Sequence, residues 1–439
     1  MRSYVPATRE ERARMLASMG LTSMEELLRD IPEGVRLRHP LDLPGGLSEK
    51  EVLAALKGYA DENVTDRPIF RGAGAYRHFI PAIIPALASL GEFLTAYTPY
   101  QFEMSQGMLQ AIFEYQSLIA RLTGMDASNA SVYDGATAAA EAMLMCRDST
   151  RRQKLLVSRG LLPDVLAVLR TYAPCAGMEL VEVPLAEGLT DLAAVKANAE
   201  GAAGLIAASP NCYGLIEDIA SLSDAVHACR GLMVAYAEPI SLGLLKKPGG
   251  LGADIAVGDG QPLGIPLSWG GPYVGFMATK QRLLRSLPGR VVGETADADG
   301  NRAYVLTLQA REQHIRREKA TSNICSNQSL CAVMAGIYMT AMGPRGLREV
   351  AESCLQKAHY AAERIAALPG MKLSYGAPFF MEFVVESDIS SGTIDEALRG
   401  KGIVGGLSLD DRRVLYCVTE MNTRQEIDAL VDALKEVCA

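Results

Sequence analysis

Asp254-Ile255-Ala256-Val257-Gly258-Asp259-Gly260-Gln261-Pro262-Leu263-Gly264-Ile265-Pro266-Leu267-Ser268-Trp269-Gly270-Gly271-Pro272 runs a short apolar strand into a polar turn and then a Gly-Gly-Pro stretch. A turn at the end of such a strand is where a reactive side chain is presented. The residue standing there is Gln261, and an amide nitrogen is not a nucleophile at neutral pH. The nearest lysines, Lys246, Lys247 and Lys280, flank the segment instead of sitting in it.

Around this turn the pattern alternates. Apolar runs at Lys154-Leu155-Leu156-Val157, Leu180-Val181-Glu182-Val183, Gly204-Leu205-Ile206-Ala207-Ala208, Leu232-Met233-Val234-Ala235-Tyr236, Ile255-Ala256-Val257 and Tyr273-Val274-Gly275-Phe276-Met277 read as strands. Helical stretches, Leu161 to Thr171 and Ile219 to Cys229 among them, lie between several. Short strands separated by helices predict a mostly parallel sheet covered on both faces. Ligands of such sheets sit outside the carboxyl ends of the strands. Upstream, Gln106 to Leu122 and Ala136 to Cys146 read as helices.

After about residue 340 the texture changes. A helix from Gly346 to Leu368, strands at Lys372 to Tyr375, Met381 to Val385 and Val414 to Val418, a helix near Thr393 to Arg399 and a last helix capped at Thr423 predict a small α+β domain. Residues 1–65 read as a helical arm, with Thr22-Ser23-Met24-Glu25 and Ser48-Glu49-Lys50-Glu51 as capping boxes around Pro-rich connectors. The expected division is therefore 1–65, 66–340 and 341–439.

The composition of the 439 residues, 49% hydrophobic and 21% charged, suits a globular enzyme-like protein. A net charge of −8 disfavours general binding to nucleic acid or a membrane surface, because both want a positive face. The nine cysteines contain no C-x-x-C pair and are odd in number, which reads as reduced thiols in a cytoplasmic protein. The first residues offer no apolar signal core, and no apolar run reaches the ~20 residues that span a bilayer.

Four further segments carry chemistry on paper. Tyr133-Asp134-Gly135-Ala136-Thr137-Ala138-Ala139-Ala140-Glu141 opens a helix with small residues, which suits either a bound anion or close packing. Thr95 to Gly107 gathers Tyr97, Tyr100, Gln101, Glu103 and Gln106 in a loop before a helix, dense enough for a pocket or an interface. Arg311-Glu312-Gln313-His314-Ile315-Arg316-Arg317-Glu318-Lys319 is the one basic cluster, able to hold a carboxylate or phosphate or simply to face solvent. His78, beside Arg77, reads as an anion contact or a structural histidine. Glu238 closes a strand, either facing a ligand or capping a turn. No H-E-x-x-H, Walker or full G-x-G-x-x-G motif occurs, and no metal set is read from the sequence.

Together these stretches resemble the glycine decarboxylase (P-protein) family of the glycine cleavage system, in the N-terminal half that many prokaryotes make as a separate alpha chain. The resemblance rests on Asp30-Ile31-Pro32-Glu33 with Pro40-Leu41-Asp42-Leu43-Pro44, Tyr97-Thr98-Pro99-Tyr100-Gln101, Ser105-Gln106-Gly107, Gly135 to Ala142, Gly264-Ile265-Pro266 with Gly270-Gly271-Pro272, and above all Arg311-Glu312-Gln313-His314-Ile315-Arg316-Arg317. Phe102 departs from an expected proline and Glu238 from an expected aspartate.

The resemblance implies an α/β fold of the pyridoxal phosphate (PLP) transferase class, fold type I, with a mostly parallel large-domain sheet. It implies that Gln261 stands where the paralogous beta chain carries its Schiff-base lysine. It therefore implies no cofactor on this chain, PLP on the beta subunit, an α2β2 assembly, and transfer of an aminomethyl group to the lipoyl arm of the H-protein. Tyr97, Tyr100, Gln101, Glu103, Arg311, His314 and Arg317 are the candidates to face the partner or its site. Two other readings stand beside it: a self-sufficient PLP enzyme using Lys246 or Lys319, and an assembly protein on a degenerate fold.

Overall fold

The computed structural model describes residues 7–37, 39–309, 313–320 and 322–438, and at position 314 the backbone alone. It divides into two compact units, Met1–Thr65 and Asp66–Ala439.

The first unit is built by capping. Thr8 accepts from Glu11 N and Glu11 returns a bond to Thr8 N, which starts the Arg9–Ser18 helix; Ser48 and Glu51 do the same for Glu49–Asp61. The box expected on Thr22 shifts by one residue. Ser23 is the cap, because Glu26 and not Glu25 is its third helical residue, and its hydroxyl accepts from Glu26 N. Among the described residues of this unit only Leu16 is buried. Val52, Leu56 and Tyr59 form an exposed stripe on one face of the Glu49–Asp61 helix. Among its described residues the unit makes no core of its own.

The second unit holds a seven-stranded sheet in the order Ala127–Ser128, Gly275–Thr279, Ile255–Asp259, Leu232–Ala237, Ala202–Ser209, Lys154–Ser158, Glu179–Val183. The last five are parallel; Gly275–Thr279 runs antiparallel to both its neighbours. Central strands are apolar end to end because both faces are covered. Gly135–Thr150 and Pro163–Cys175 pack one face, and Gln106–Thr123, Ile219–His227 and Ser329–Ala366 the other.

The helix expected from Gly346 begins earlier, at Ser329. Gly343, at φ 60°, and Pro344 break it, and helical geometry resumes at once. Its second half, with Ser391–Gly400 and Arg424–Cys438, packs a four-stranded antiparallel sheet ordered Met371–Leu373, Glu382–Ser387, Arg413–Cys417, Leu407–Ser408. A hairpin that the sequence reading passes over, Val291–Ala296 with Arg302–Thr307, closes on Asp297, whose carboxylate accepts from Asp299 N and Asn301 N. No helix among the described residues is long and apolar enough to cross a membrane.

Candidate functional site

The carboxyl ends of Ala202–Ser209, Leu232–Ala237 and Ile255–Asp259 open onto one cavity, lined among others by Tyr76, Asn211, Glu238 and Asp259. Gln261 lies in the turn beyond the last of these strands and is 2% exposed. Its Nε2 donates to Tyr76 O (3.0 Å) and Ile265 O (2.8 Å), and its Oε1 accepts from Tyr76 N (2.9 Å). Asp259 Oδ1 holds its backbone N–H at 2.9 Å. Both amide hydrogens and the carbonyl oxygen are thus spent on main chain. Gln261 is a clamp that pairs both polar groups of Tyr76 and lays the segment around it over the turn.

Tyr76 continues the network. Its hydroxyl donates to Glu382 Oε2 at 2.9 Å, and Glu382 Oε1 accepts from Ala73 N at 2.7 Å. Burial pushes the Glu382 carboxyl up to about 7 against these bonds. Glu238 takes the capping role: its two oxygens accept from Ile240 N (2.9 Å) and Ser241 N (2.7 Å), and burial raises its pKa. Both of its oxygens are turned onto the chain's own backbone.

The start of the Gly135–Thr150 helix is filled by the chain's own carboxylates. Asp134 Oδ1 accepts from Thr137 N (2.7 Å), and Asp259 Oδ2 accepts from Gly135 N (3.1 Å). Burial lifts the Asp259 pKa to about 7, with Asp134 adding to the rise. A phosphate there would meet two acids, with the Gly135 and Thr137 N–H groups already taken. The cavity itself measures about 30 Å³, room for about two waters, whereas small-molecule sites run to roughly 300 Å³ and more. These residues do not fit PLP: the amine is absent, the anion position is acidic and the volume is too small. Close packing is what the small residues serve.

Glu141, one turn further along the same helix, is 2% exposed, and its Oε2 has no hydrogen-bond partner among the described residues. Burial raises its pKa to about 7. The folded chain therefore holds a proton there that the unfolded chain releases above its ordinary carboxylate pKa. Stability from this group is intact in acid and falls as pH rises from about 4.5 to about 7. Glu141→Gln is expected to change little at pH 4.5 and to stabilise the chain at pH 8 by up to ~3 kcal/mol. Urea denaturation at the two pH values measures this; equal effects at both would contradict it.

The other sequence candidates lie elsewhere. Tyr97, Tyr100, Gln101 and Glu103 are exposed in the loop before the Gln106–Thr123 helix, with Tyr97 at 81%. Tyr100 accepts from Arg290 Nη2 at 2.8 Å, under a cation–π contact of 5.3 Å. Gln106 anchors the loop, pairing with both Tyr304 N and Tyr304 O at 2.9 Å. Arg311 lies outside the described residues, as does the His314 side chain. Arg317 is exposed, at φ 53°, on the rim of a groove that also contains Glu141 and Tyr133. Among the described candidates, Tyr97, Tyr100, Gln101, Glu103 and Arg317 do not line the cavity beside Gln261. His78 is bonded through Nδ1 to Glu420 Oε2 at 2.7 Å. Sequence reasoning missed Tyr76 and Glu382 as site residues. Their partners are 185 and 306 positions away, a separation that no local pattern encodes.

The family described as glycine cleavage system P-protein matches residues 2–434. A Moorella thermoacetica protein named probable glycine dehydrogenase (decarboxylating) subunit 1 is 53% identical over 444 residues, covering all of both chains. A crystal structure of glycine decarboxylase (P-protein) of the glycine cleavage system, in inhibitor-bound form, superposes with a TM-score of 0.92 at 44% identity, covering 99% of this chain and 100% of that one. A Lactobacillus brevis glutamate decarboxylase shares the fold alone, with a TM-score of 0.68 at 14% identity over 95% of this chain and 97% of that one. The fold is that of the fold type I PLP-dependent enzymes, as the sequence led us to expect.

Proposed function

This chain belongs to the glycine cleavage system P-protein family, and from that premise we propose that it is the subunit of glycine decarboxylase that holds no cofactor. A lysine-bearing paralogue binds PLP, in an α2β2 cytoplasmic assembly. PLP there acts as electron sink for loss of carbon dioxide from glycine. The aminomethyl group left behind passes to the lipoyl group of the H-protein. This chain completes and shields the partner's cleft, with residues 66–340 as its large domain, 341–439 as its small domain and 1–65 as an arm.

The observation that carries this reading is the Gln261 clamp. A side chain whose donors and acceptor are all spent on backbone at 2.8–3.0 Å is a structural replacement for a reactive amine. It speaks equally against a self-sufficient enzyme at this turn. Exposed apolar surface supports a partner: Phe102 is 49% exposed, Met104 84% and Trp269 98%. Tyr97, Tyr100, Gln101, Glu103, Arg311, His314 and Arg317 are assigned to the surface that meets the partner or its site.

The test is reconstitution. Exchange of carbon dioxide with the glycine carboxyl, assayed with PLP and H-protein, is expected from the mixture of this chain with its paralogue and from neither alone. A paralogue as active alone as in the mixture would overturn the reading. Tyr97→Glu with Met104→Glu is expected to weaken association at least ~100-fold. Because both side chains are solvent-exposed, the isolated chain's melting temperature is expected to stay unchanged. Analytical ultracentrifugation of the mixture reads the first effect and calorimetry the second.

A further inference from the structure

Three distant segments of the second unit meet in a cluster beside Tyr76. His78 comes from the extended segment before the Ile83–Ala88 helix, Cys354 from the long helix, and Glu420 from the loop after the Arg413–Cys417 strand. One donor atom from each lies within 4.8 Å of the other two. His78 Nδ1 is 2.7 Å and Cys354 Sγ 3.3 Å from the same oxygen, Glu420 Oε2. Glu420 Oε1 accepts from Phe79 N at 2.7 Å, which fixes the carboxylate. Lys357 is spent on the Glu420 backbone oxygen, 2.5 Å away.

The second observation is burial. The His78 side chain is 2% exposed, and its Nε2 is buried with no hydrogen-bond partner among the described residues. An imidazole that gives its Nδ1 proton to a carboxylate presents a bare lone pair on Nε2. A cation taking Nδ1 moves that ring proton to Nε2, so the ligating nitrogen is the one that already faces Glu420, in a site closed to bulk solvent.

We propose that His78, Cys354 and Glu420 bind one divalent cation of the zinc class, with water as the fourth ligand. Tetrahedral zinc, with Zn–S near ~2.3 Å and Zn–N and Zn–O near ~2.0–2.2 Å, holds its donors roughly 3.3–3.7 Å apart. The sulfur–oxygen spacing already meets this, and the nitrogen–oxygen pair must open by about half an ångström. One nitrogen, one thiolate and one carboxylate oxygen select against magnesium and calcium, which want oxygen alone. Glu420, with 13% of its side chain exposed, gives the ion a route in. Binding displaces the Cys354 thiol proton to solvent and moves the His78 ring proton from Nδ1 to Nε2, so the imidazole stays neutral and nothing is oxidised or reduced. The bound ion ties the 76–79 segment, the long helix and the C-terminal sheet together.

The full chain, freed of metal with a chelator, is titrated with cobalt(II) alone. The expected result is a thiolate-to-cobalt charge-transfer band that saturates at one equivalent. Cys354→Ser is expected to lose the band and weaken binding more than ~100-fold, while Cys325→Ser, at an exposed cysteine, keeps it. X-ray absorption at the zinc edge of the unsubstituted chain covers the case in which Cys354→Ser does not fold: one sulfur among nitrogen and oxygen ligands is expected. No charge-transfer band in the folded chain, a band retained by Cys354→Ser, or a zinc shell without sulfur would each overturn the proposal.

Discussion

Gln261→Lys is expected to destabilise the chain by roughly 3–5 kcal/mol and to yield no covalent PLP adduct. A lysine ammonium can donate to Tyr76 O and Ile265 O as the amide does, but it cannot accept from Tyr76 N. That N–H is then buried unpaired, and a position 2% exposed receives a cation. An unpaired buried charge costs about 3–5 kcal/mol. Nor would the amine find a cofactor. The cavity holds about 30 Å³, Asp134 and Asp259 occupy the helix start where a phosphate would sit, and Glu238 is committed to Ile240 N and Ser241 N. Urea denaturation measures the first effect, and borohydride trapping followed by mass spectrometry the second. A stable Gln261→Lys chain carrying a trapped adduct would show that the turn is a cofactor site lacking only its lysine.

Gly135→Val is expected to cost about 3 kcal/mol or more, because the helix start has no room for a side chain. A Cβ at Gly135 would lie 2.3 Å from Tyr236 Oη, 2.7 Å from Asp259 N and 3.0 Å from Asp259 Cβ. The tyrosine hydroxyl can swing away, but the Asp259 backbone belongs to a central strand and cannot. Gly107→Ala makes the control. It sits inside the Gln106–Thr123 helix with nothing within 4 Å of its Cβ position, and is expected to stabilise by up to ~1 kcal/mol. Thermal unfolding of the two variants should move in opposite directions.

Much of the fold was legible because its signals are local. Strands such as Leu232–Ala237 are unbroken apolar runs, and caps such as Ser48 with Glu51 are three residues apart. What failed were boundaries and directions. The helix expected from Gly346 is the second half of one that starts at Ser329, the two halves meeting at the Gly343-Pro344 kink. The apolar run around Gly275–Thr279 says strand but not antiparallel, since direction depends on the partner. At the site, Gln261 was legible as a missing amine. Its structural role was not, because that role is written in the backbone of Tyr76 and, through Tyr76, in Glu382. Glu238 and the small-residue helix start each offered a ligand role and a packing role, and hydrogen bonding decided for packing.

The central claim is that the Gln261 turn is a closed structural element and that the cofactor belongs to a partner. It is tested most directly by mixing the isolated chain with PLP, reducing with borohydride and weighing the protein. The expected mass is that of the unmodified chain at every lysine, with adduct appearing only on the paralogue when both are present. A stoichiometric adduct on the isolated chain, at Lys246, Lys319 or any other lysine, would contradict it.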